Sequence, residues 1–284
     1  MSNLQNKIDF VVLVKVENAN PNGDPLNGNR PRTTYSGNGE ISDVCIKRKI
    51  RNRLQDMGEN LFVQSSERSD DGYTSLSERA SKTITNYKDN DDYAIQACEK
   101  WIDVRSFGQV FAFKSSDKKE SVSVGVRGPV SIHQAISCSP VDINSMQITK
   151  SVNSEPTKDG KKTSDTMGTK HYIDFGLYEI KGSINVQMAE KTGFSEEDAE
   201  KIKEALRTLF INDASSARPD GSMEVVRVYW WKHNNKIGQY SAAKVHDSVK
   251  VILKDDVAVP SSVNDYEIIV EELADLVPEV IEGI

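Results

Sequence analysis

Five basic residues, Lys47, Arg48, Lys49, Arg51 and Arg53, fall within seven positions. Ammonium and guanidinium groups at that density suit one kind of chemistry, docking the phosphates of a polyanion. Composition alone does not produce them, because the chain has 36 Lys and Arg against 43 Asp and Glu, a net charge of −7. The excess acid is local. Residues 255–284 hold nine acids and no Lys or Arg, which leaves 36 basic residues against 34 acidic over residues 1–254, a balance of +2. From Arg30 to Arg53, seven basic residues meet only Glu40 and Asp43, a local charge of +5. The acidic pI of 5.3 is therefore misleading, and nucleic acid is a reasonable partner.

Other chemistries have little to stand on. His133, His171, His233 and His246 lie far apart, and the chain has no HxxxH, no GxSxG and no GxxxxGK. Cys45, Cys98 and Cys138 are odd in number and form no CxxC, which argues against a disulfide framework or a zinc site and for a reducing compartment. The expectation is no catalytic residue, no metal and no cofactor. No apolar run reaches membrane-spanning length and the first residues lack the form of a signal peptide, so a cytoplasmic protein without membrane contact is expected.

The elements that must position the cations can be read from period and punctuation. Ile8–Glu17 is continuously apolar and β-branched, as expected of a central strand buried on both faces. Residues 18–39 are dense in Asn, Gly and Pro, which is loop chemistry. Ser42 can cap a helix from Asp43 to Met57, with Val44, Cys45, Ile46, Ile50 and Leu54 inward and the basic residues around the rest. Residues 58–92 are polar and read as a mobile insertion. A helix over Tyr93–Trp101 follows, then an apolar return at Asp103–Phe113 and a strand alternating through Gly128–Cys138. Residues 148–171, with Asp159-Gly160 at their tip, read as a projecting β-hairpin. Tyr172–Met188 reads as strand, Ser195 and Asp198 form a capping box for the next helix, and Met223–Trp231 is a last strand. The order βαββαβ predicts an α+β fold of the ferredoxin-like (RRM-like) kind, as one domain over 1–284. The aromatic signature of an ordinary RNA-recognition module is absent, so RNA would be held on the insertions and the basic helix. The acidic segment 255–284 reads as packed strand and helix with a solvated face.

Several ordered motifs carry a family resemblance: Asn20-Pro21-Asn22-Gly23-Asp24-Pro25, Asn29-Arg30-Pro31-Arg32, Ile41 to Arg51, Asp103 to Gly108, Gly128-Pro129-Val130, Gly176-Leu177-Tyr178, Thr192-Gly193-Phe194, and Asp213 to Gly221. Over residues 8 to 254 the chain resembles the backbone subunit of the CRISPR type I-C Cascade complex. The resemblance implies a hand-shaped protein with a ferredoxin-like palm, a fingers insertion at 58–127 and a thumb hairpin at 148–171. It implies copies stacked head to tail along a CRISPR guide RNA, beside other Cascade subunits, with target DNA read by pairing to the guide in an R-loop. The protein then grips backbone regardless of sequence.

Carried over position by position, the resemblance puts Lys47, Arg48, Lys49 and Arg51 on RNA phosphates and Asn20, Asn22, Arg30 and Arg32 along the same groove. Arg105, Arg127, His133 and Gln134 would border it from the palm, and Lys150, Met167, Lys170 and His171 from the thumb, Met167 as a wedge between bases. Arg218 is a further RNA candidate, with a neighbouring-subunit contact as its alternative. Bland readings compete throughout: a basic helix face is usually solvated surface, and a strand histidine is usually structural. Two rival functions remain at this stage. One is a metal-dependent ribonuclease of the type III backbone kind acting through Asp24, although one carboxylate makes a poor metal site. The other is a scaffold that touches only proteins.

Overall fold

The apolar run near the start of the chain forms the centre of the structure, strand β1 (Ile8–Ala19), buried along nearly its whole length. The computed structural model describes residues 2–113, 122–149 and 167–284. Side chains alternate across a strand, so β1 sends Phe10, Val12, Val14 and Val16 into one core and Val11 and Leu13 into another. A strand between two cores needs apolar residues at every position, which is why its sequence is continuous and not alternating.

After β1 come the short segments β2 (Gly23–Asp24) and β3 (Arg30–Pro31), then β4 (Asn38–Ile41) and helix α1 (Asp43–Asp56). The Ser42 hydroxyl accepts from the Cys45 N–H at 3.4 Å and starts α1 as expected. Helices α2 (Leu76–Thr83), α3 (Asn90–Lys100) and α4 (Ile102–Phe107) precede a hairpin, β5 (Gly108–Phe113) with β6 (Val122–Arg127). Strands β7 (Val130–Ile132), β8 (Ala135–Pro140) and β9 (Ile143–Thr149) all pair with the long β10 (Met167–Ile184). Helices α5 (Val186–Thr192) and α6 (Glu196–Arg207) lead to β11 (Met223–Lys232). The C-terminal part holds α7 (Ala242–His246), β12 (Val249–Leu253), β13 (Tyr266–Val270) and β14 (Glu279–Glu282).

Among the described residues the main sheet has eight strands, runs β14-β11-β1-β10-β8-β4 with β7 and β9 also on β10, and is antiparallel at every pairing. Residues of α1, α5 and α6, including Ile46, Ile50, Val186, Ile202 and Leu206, fill the core on one face. On the other, Val249, Tyr266 and Leu276 of the C-terminal segment cover Leu177, Tyr229 and Trp231. Gly182 on β10 is needed for this packing, since a Cβ there would lie 2.3 Å from Phe10 Cζ, and Phe10 stacks on Trp230 at 5.4 Å. Among the described residues, no helix is long and apolar enough to cross a membrane.

Several local expectations are corrected. The polar stretch 58–92 contains α2 and is fastened by Arg79, which is 3% exposed and bonds Asp71, Ser69, Gln64 and the Phe62 carbonyl. It joins a third core in which Phe111 packs on Phe62, Tyr93 and Trp101, so Asp103–Phe113 divides, with Val104 and Phe111 in this cluster and Phe107 against the core of the main sheet. The Gly128–Cys138 alternation breaks at His133 and Gln134: Val130 and Ile132 face in, and the phase then flips to bury Ala135. Val186, Gln187 and Met188 are helix, not strand, because the Asn185 side chain accepts from the Met188 N–H and Gly193, at φ 72°, ends the turn. On α1, Val44 is exposed and Lys49 takes an inward place. In 255–284 the expected helix is a single 3-10 turn at Val263–Asp265 between strands.

Candidate nucleic-acid interface

The Asn-rich loop is built by its own side chains. Asn20 is 3% exposed and its Nδ2 donates to the Asn29 carbonyl at 2.7 Å, closing the loop across β2 and β3. The Asn22 Oδ1 accepts from both the Ser42 N–H (2.9 Å) and the Ser42 hydroxyl (2.8 Å), so it fixes the entry to α1. Asn18 and Asn29 stand at φ 51° and 59°, left-handed positions that Asn tolerates better than most residues. Both Asn20 and Asn22 thus shape the loop that presents Arg30 and Arg32. Arg30 Nη1 donates to the Ser145 hydroxyl at 2.9 Å, and Ser145 meets His171 Nδ1 at 2.9 Å, tying this loop to the β9–β10 hairpin. Arg32 lies 3.5 Å from Asp24 and its Nε has no hydrogen-bond partner. The Asp24 carboxylate also accepts from the Leu26 N–H at 3.2 Å. Among the described residues no group of three or more His, Cys, Asp or Glu side chains is placed to hold a metal.

On α1 the five cations are not a free face. Lys49 is 4% exposed, ion-paired with Asp213 and set 5.4 Å from the Phe210 ring. Burial lowers its pKa against the opposing pull of Asp213. Arg51 donates from Nε to Asp103 at 3.0 Å, and Asp103 also accepts from the Phe62 and Val63 N–H groups. Arg53 donates to Thr208 at 2.7 Å. Lys47 pairs with Asp43 one turn back at 3.0 Å, and Arg48 donates to the Val63 carbonyl at 3.0 Å. The picture of basic side chains radiating into solvent is therefore corrected: Lys49 and Arg51 hold α1 to its neighbours, and Lys47 and Arg48 are only partly exposed.

Arg105 is likewise turned inward. Its Nε and Nη2 meet the two oxygens of Asp198 at 3.0 and 2.7 Å, while Asp198 also serves the capping box of α6. Burial alone would raise the Asp198 pKa, but the Arg105 guanidinium and the Ser195 donors hold it below the usual carboxylate value. Arg127 is exposed at the end of β6, and His133 and Gln134 are exposed at the β7–β8 break, His133 edge-on to His246 at 5.6 Å. Met167 is exposed on β10, where Lys170 opposes Met146 and His171 opposes Ser145. The paired β9 and β10 are the legs of the expected hairpin; its tip, and Lys150, lie outside the described residues.

What the fold does bring together is Arg48, Lys49 and Arg218, from positions far apart in sequence. They line one cavity of about 550 Å³ bounded by α1, the 65–68 turn and the 212–218 loop. Arg218 Nε lies 3.4 Å from Asp213, so one carboxylate stands between two cations. Cys45 lines the same cavity and feels the charges of Lys49, Arg218 and Arg32, although burial dominates and raises its pKa. Arg68, on the same wall, donates to Asp56 and to the Asn212 carbonyl. Sequence reasoning missed Ser65, Arg68, Ser145 and Asp213 as site residues. Only Asp213 carried a signal, at the head of the Asp213–Gly221 run.

Comparison with known proteins identifies the family. The family model described as CRISPR-associated protein Cas7 matches residues 6–271. A CRISPR-associated protein Cas7 of Haloferax volcanii is 26% identical over 251 residues, covering 82% of this chain and 73% of the relative. Among solved structures, a chain of a CRISPR RNA-guided surveillance complex, pre-nicking, superposes with a TM-score of 0.50 at 14% identity, covering 83% of this chain and 81% of that one. That likeness is one of fold. The family match spans nearly the whole chain, and the protein belongs to the CRISPR-associated Cas7 family.

Proposed function

We propose that this chain is the guide-RNA-binding backbone subunit of a CRISPR Cascade surveillance complex. The observation that carries the reading is the family match over residues 6–271. The strand order β11-β1-β10-β8, with α1 and α6 contributing to one core, supports a ferredoxin-like, RRM-like palm. The third core supports reading 58–127 as fingers, and the β9–β10 legs support a thumb over 148–171. Guide RNA runs past the loop that carries Arg30 and Arg32, over Lys47 and Arg48, and toward Arg218. Asn20, Asn22, Lys49 and Arg51 serve that path by building it, with Arg127, His133, Gln134, Met167, Lys170 and His171 along its borders. Copies of the chain stack head to tail on one guide beside other Cascade subunits in the cytoplasm, and target DNA is read by pairing to that guide.

Such a surface binds single-stranded RNA with little regard to sequence, and affinity falls with salt at a logarithmic slope of roughly 0.7 per phosphate neutralised. Titration of two unrelated guide RNAs across a salt series measures both properties, alongside the length of RNA extracted from purified protein. Nuclease-protected RNA and near-equal affinities are expected. Nucleic-acid-free protein that ignores added RNA at low salt would overturn the reading.

A further inference from the structure

The two ends of the main sheet are finished differently. At one end β4 is covered by its own chain, since the Glu40 N–H donates to the Arg32 carbonyl at 2.9 Å and the Thr34 N–H to the Asn38 carbonyl at 2.8 Å. At the other end β14 pairs with β11 on one side, and among the described residues no strand lies beyond it. The Gly283 N–H donates to the Val226 carbonyl at 3.3 Å, so by the alternation of an antiparallel ladder Ile281 and Glu279 also face β11. The backbone groups of Val280 and Glu282 therefore point outward, served by water in the free chain. Edges are ordinarily guarded by charge or by a covering loop. Here Glu279 and Glu282 are drawn back to Lys203 and Arg227, Val280 is 52% exposed, and Val277 just ahead of the strand is 83% exposed.

Leading into this edge, residues 270–278 enclose a groove of about 570 Å³. Leu276 is buried in it, Glu271, Glu272 and Asp275 stand exposed along it, and residues 255–284 supply no Lys or Arg to answer them. The acidic turn is held in place: Asp275 sits at φ 58°, its carbonyl accepts from Gln239 Nε2 at 2.7 Å, and the Ala274 carbonyl accepts from the Tyr240 hydroxyl at 3.1 Å. A fixed acidic rim repels nucleic-acid phosphate and attracts a cationic peptide without first having to be ordered. We propose that β14 and the 270–278 groove form a docking surface for an extended, cationic segment of another protein, which adds a strand to the sheet at Val280 and Glu282 and lays its Lys or Arg against Glu271, Glu272 and Asp275. Apolar residues alternating with those cations cover Val277 and Val280. The surface lies at the opposite end of the sheet from β4 and the Arg30–Arg32 loop, so it can be filled while guide RNA is held.

The test uses the full chain and short fluorescent peptides of alternating Lys and Val, read by anisotropy. A counterpart with Glu in place of Lys is expected to bind roughly tenfold more weakly. One long edge of an added strand faces β14, so N-methylating either all the lysines or all the valines should weaken binding roughly tenfold in one case and leave it unchanged in the other. These comparisons leave the protein itself unaltered. Val280→Pro removes an outward N–H without removing a bond to β11 and should weaken the Lys–Val peptide roughly tenfold, whereas Val280→Thr keeps the N–H and the affinity. In wild type the peptide should slow amide exchange at Val280 and Glu282. In the assembled complex, a photocrosslinking residue at position 277 should join a segment of another protein in which Lys or Arg alternates with apolar residues. Equal affinity for the Lys and Glu peptides, equal effects of the two methylations, or amide exchange indifferent to peptide would each overturn the docking surface. Dimerisation of the RNA-free chain that Val280→Pro abolishes, or a crosslink from position 277 to a second copy or to guide RNA, would give the edge to a different occupant and overturn the cationic partner.

Discussion

Helix α1 and the C-terminal segment carry runs of charge of opposite sign, and they spend that charge in opposite ways. On α1 every one of the five cations has a partner within the protein, and Lys49 is buried with its counterion. In residues 255–284 most of the nine acids stand in solvent; Glu279 reaches Lys203 at 2.8 Å and Glu282 reaches Arg227 at 2.8 Å, but Glu271, Glu272 and Asp275 are simply exposed. Linear charge density is therefore a poor measure of the field a protein presents. A cation drawn into a buried pair acts as a structural tie, and a free carboxylate over an apolar face acts to keep that face wet on its outer side.

The comparison breaks first at the buried pairs. Arg105 and Asp198 form one, at 12% and 1% side-chain exposure with two parallel bonds. Arg105→Ala strands a buried carboxylate and is expected to cost about 3–5 kcal/mol, seen as a lower denaturant midpoint at unchanged slope. Acid should tell the same story. The folded pKa of Asp198 is depressed below the ordinary carboxylate value, so its contribution is fully present above that value and is lost as pH falls through the folded pKa. Wild type should lose stability below about pH 4, and Arg105→Ala should lose less over the same window.

Next in size is Lys49. Asp213→Asn leaves a buried ammonium facing Arg218 and is expected to cost about 2–3 kcal/mol, whereas Lys49→Met with Asp213→Asn recovers most of the loss. Glu272→Gln on the exposed segment should stay within about 0.5 kcal/mol. If Lys49→Ala left the midpoint untouched and only weakened RNA binding, the division between tying and displayed charge would be wrong on α1.

The legible parts of this molecule are those whose cause is local. Ser42 and the Ser195–Asp198 box announce their helices within four residues, and the two-faced burial of β1 is written in its unbroken apolar run. The fate of the cations is not local. Lys49 finds Asp213 at a separation of 164 positions and Arg105 finds Asp198 at 93, and no periodicity marks either partner. The same holds for residues 58–113, whose polar sequence hides a core assembled from Phe62, Tyr93, Trp101 and Phe111 on separate elements. At Val186–Met188 a strand-like alternation misleads because Asn185 caps a helix there, a competition that only the tertiary setting decides. A density of charge was thus legible in the sequence, but which of those charges are free to face the proposed RNA path depends on partners that only the folded chain brings together.

The smallest expected effect on stability is the most informative about that path. Lys47 pairs with Asp43 at the (i, i+4) spacing, and both side chains are partly exposed, at 25% and 42%. Such a pair contributes about 0.3–0.5 kcal/mol, so Lys47→Ala should melt almost with wild type. Its ammonium, unlike that of Lys49, can leave its carboxylate for a phosphate at little cost. The RNA salt slope should then fall by roughly 0.7 in Lys47→Ala. An unchanged slope would mean that even the outward part of α1 is spent within the protein, and would move the RNA from this helix to the Arg30–Ser145–His171 side of the molecule.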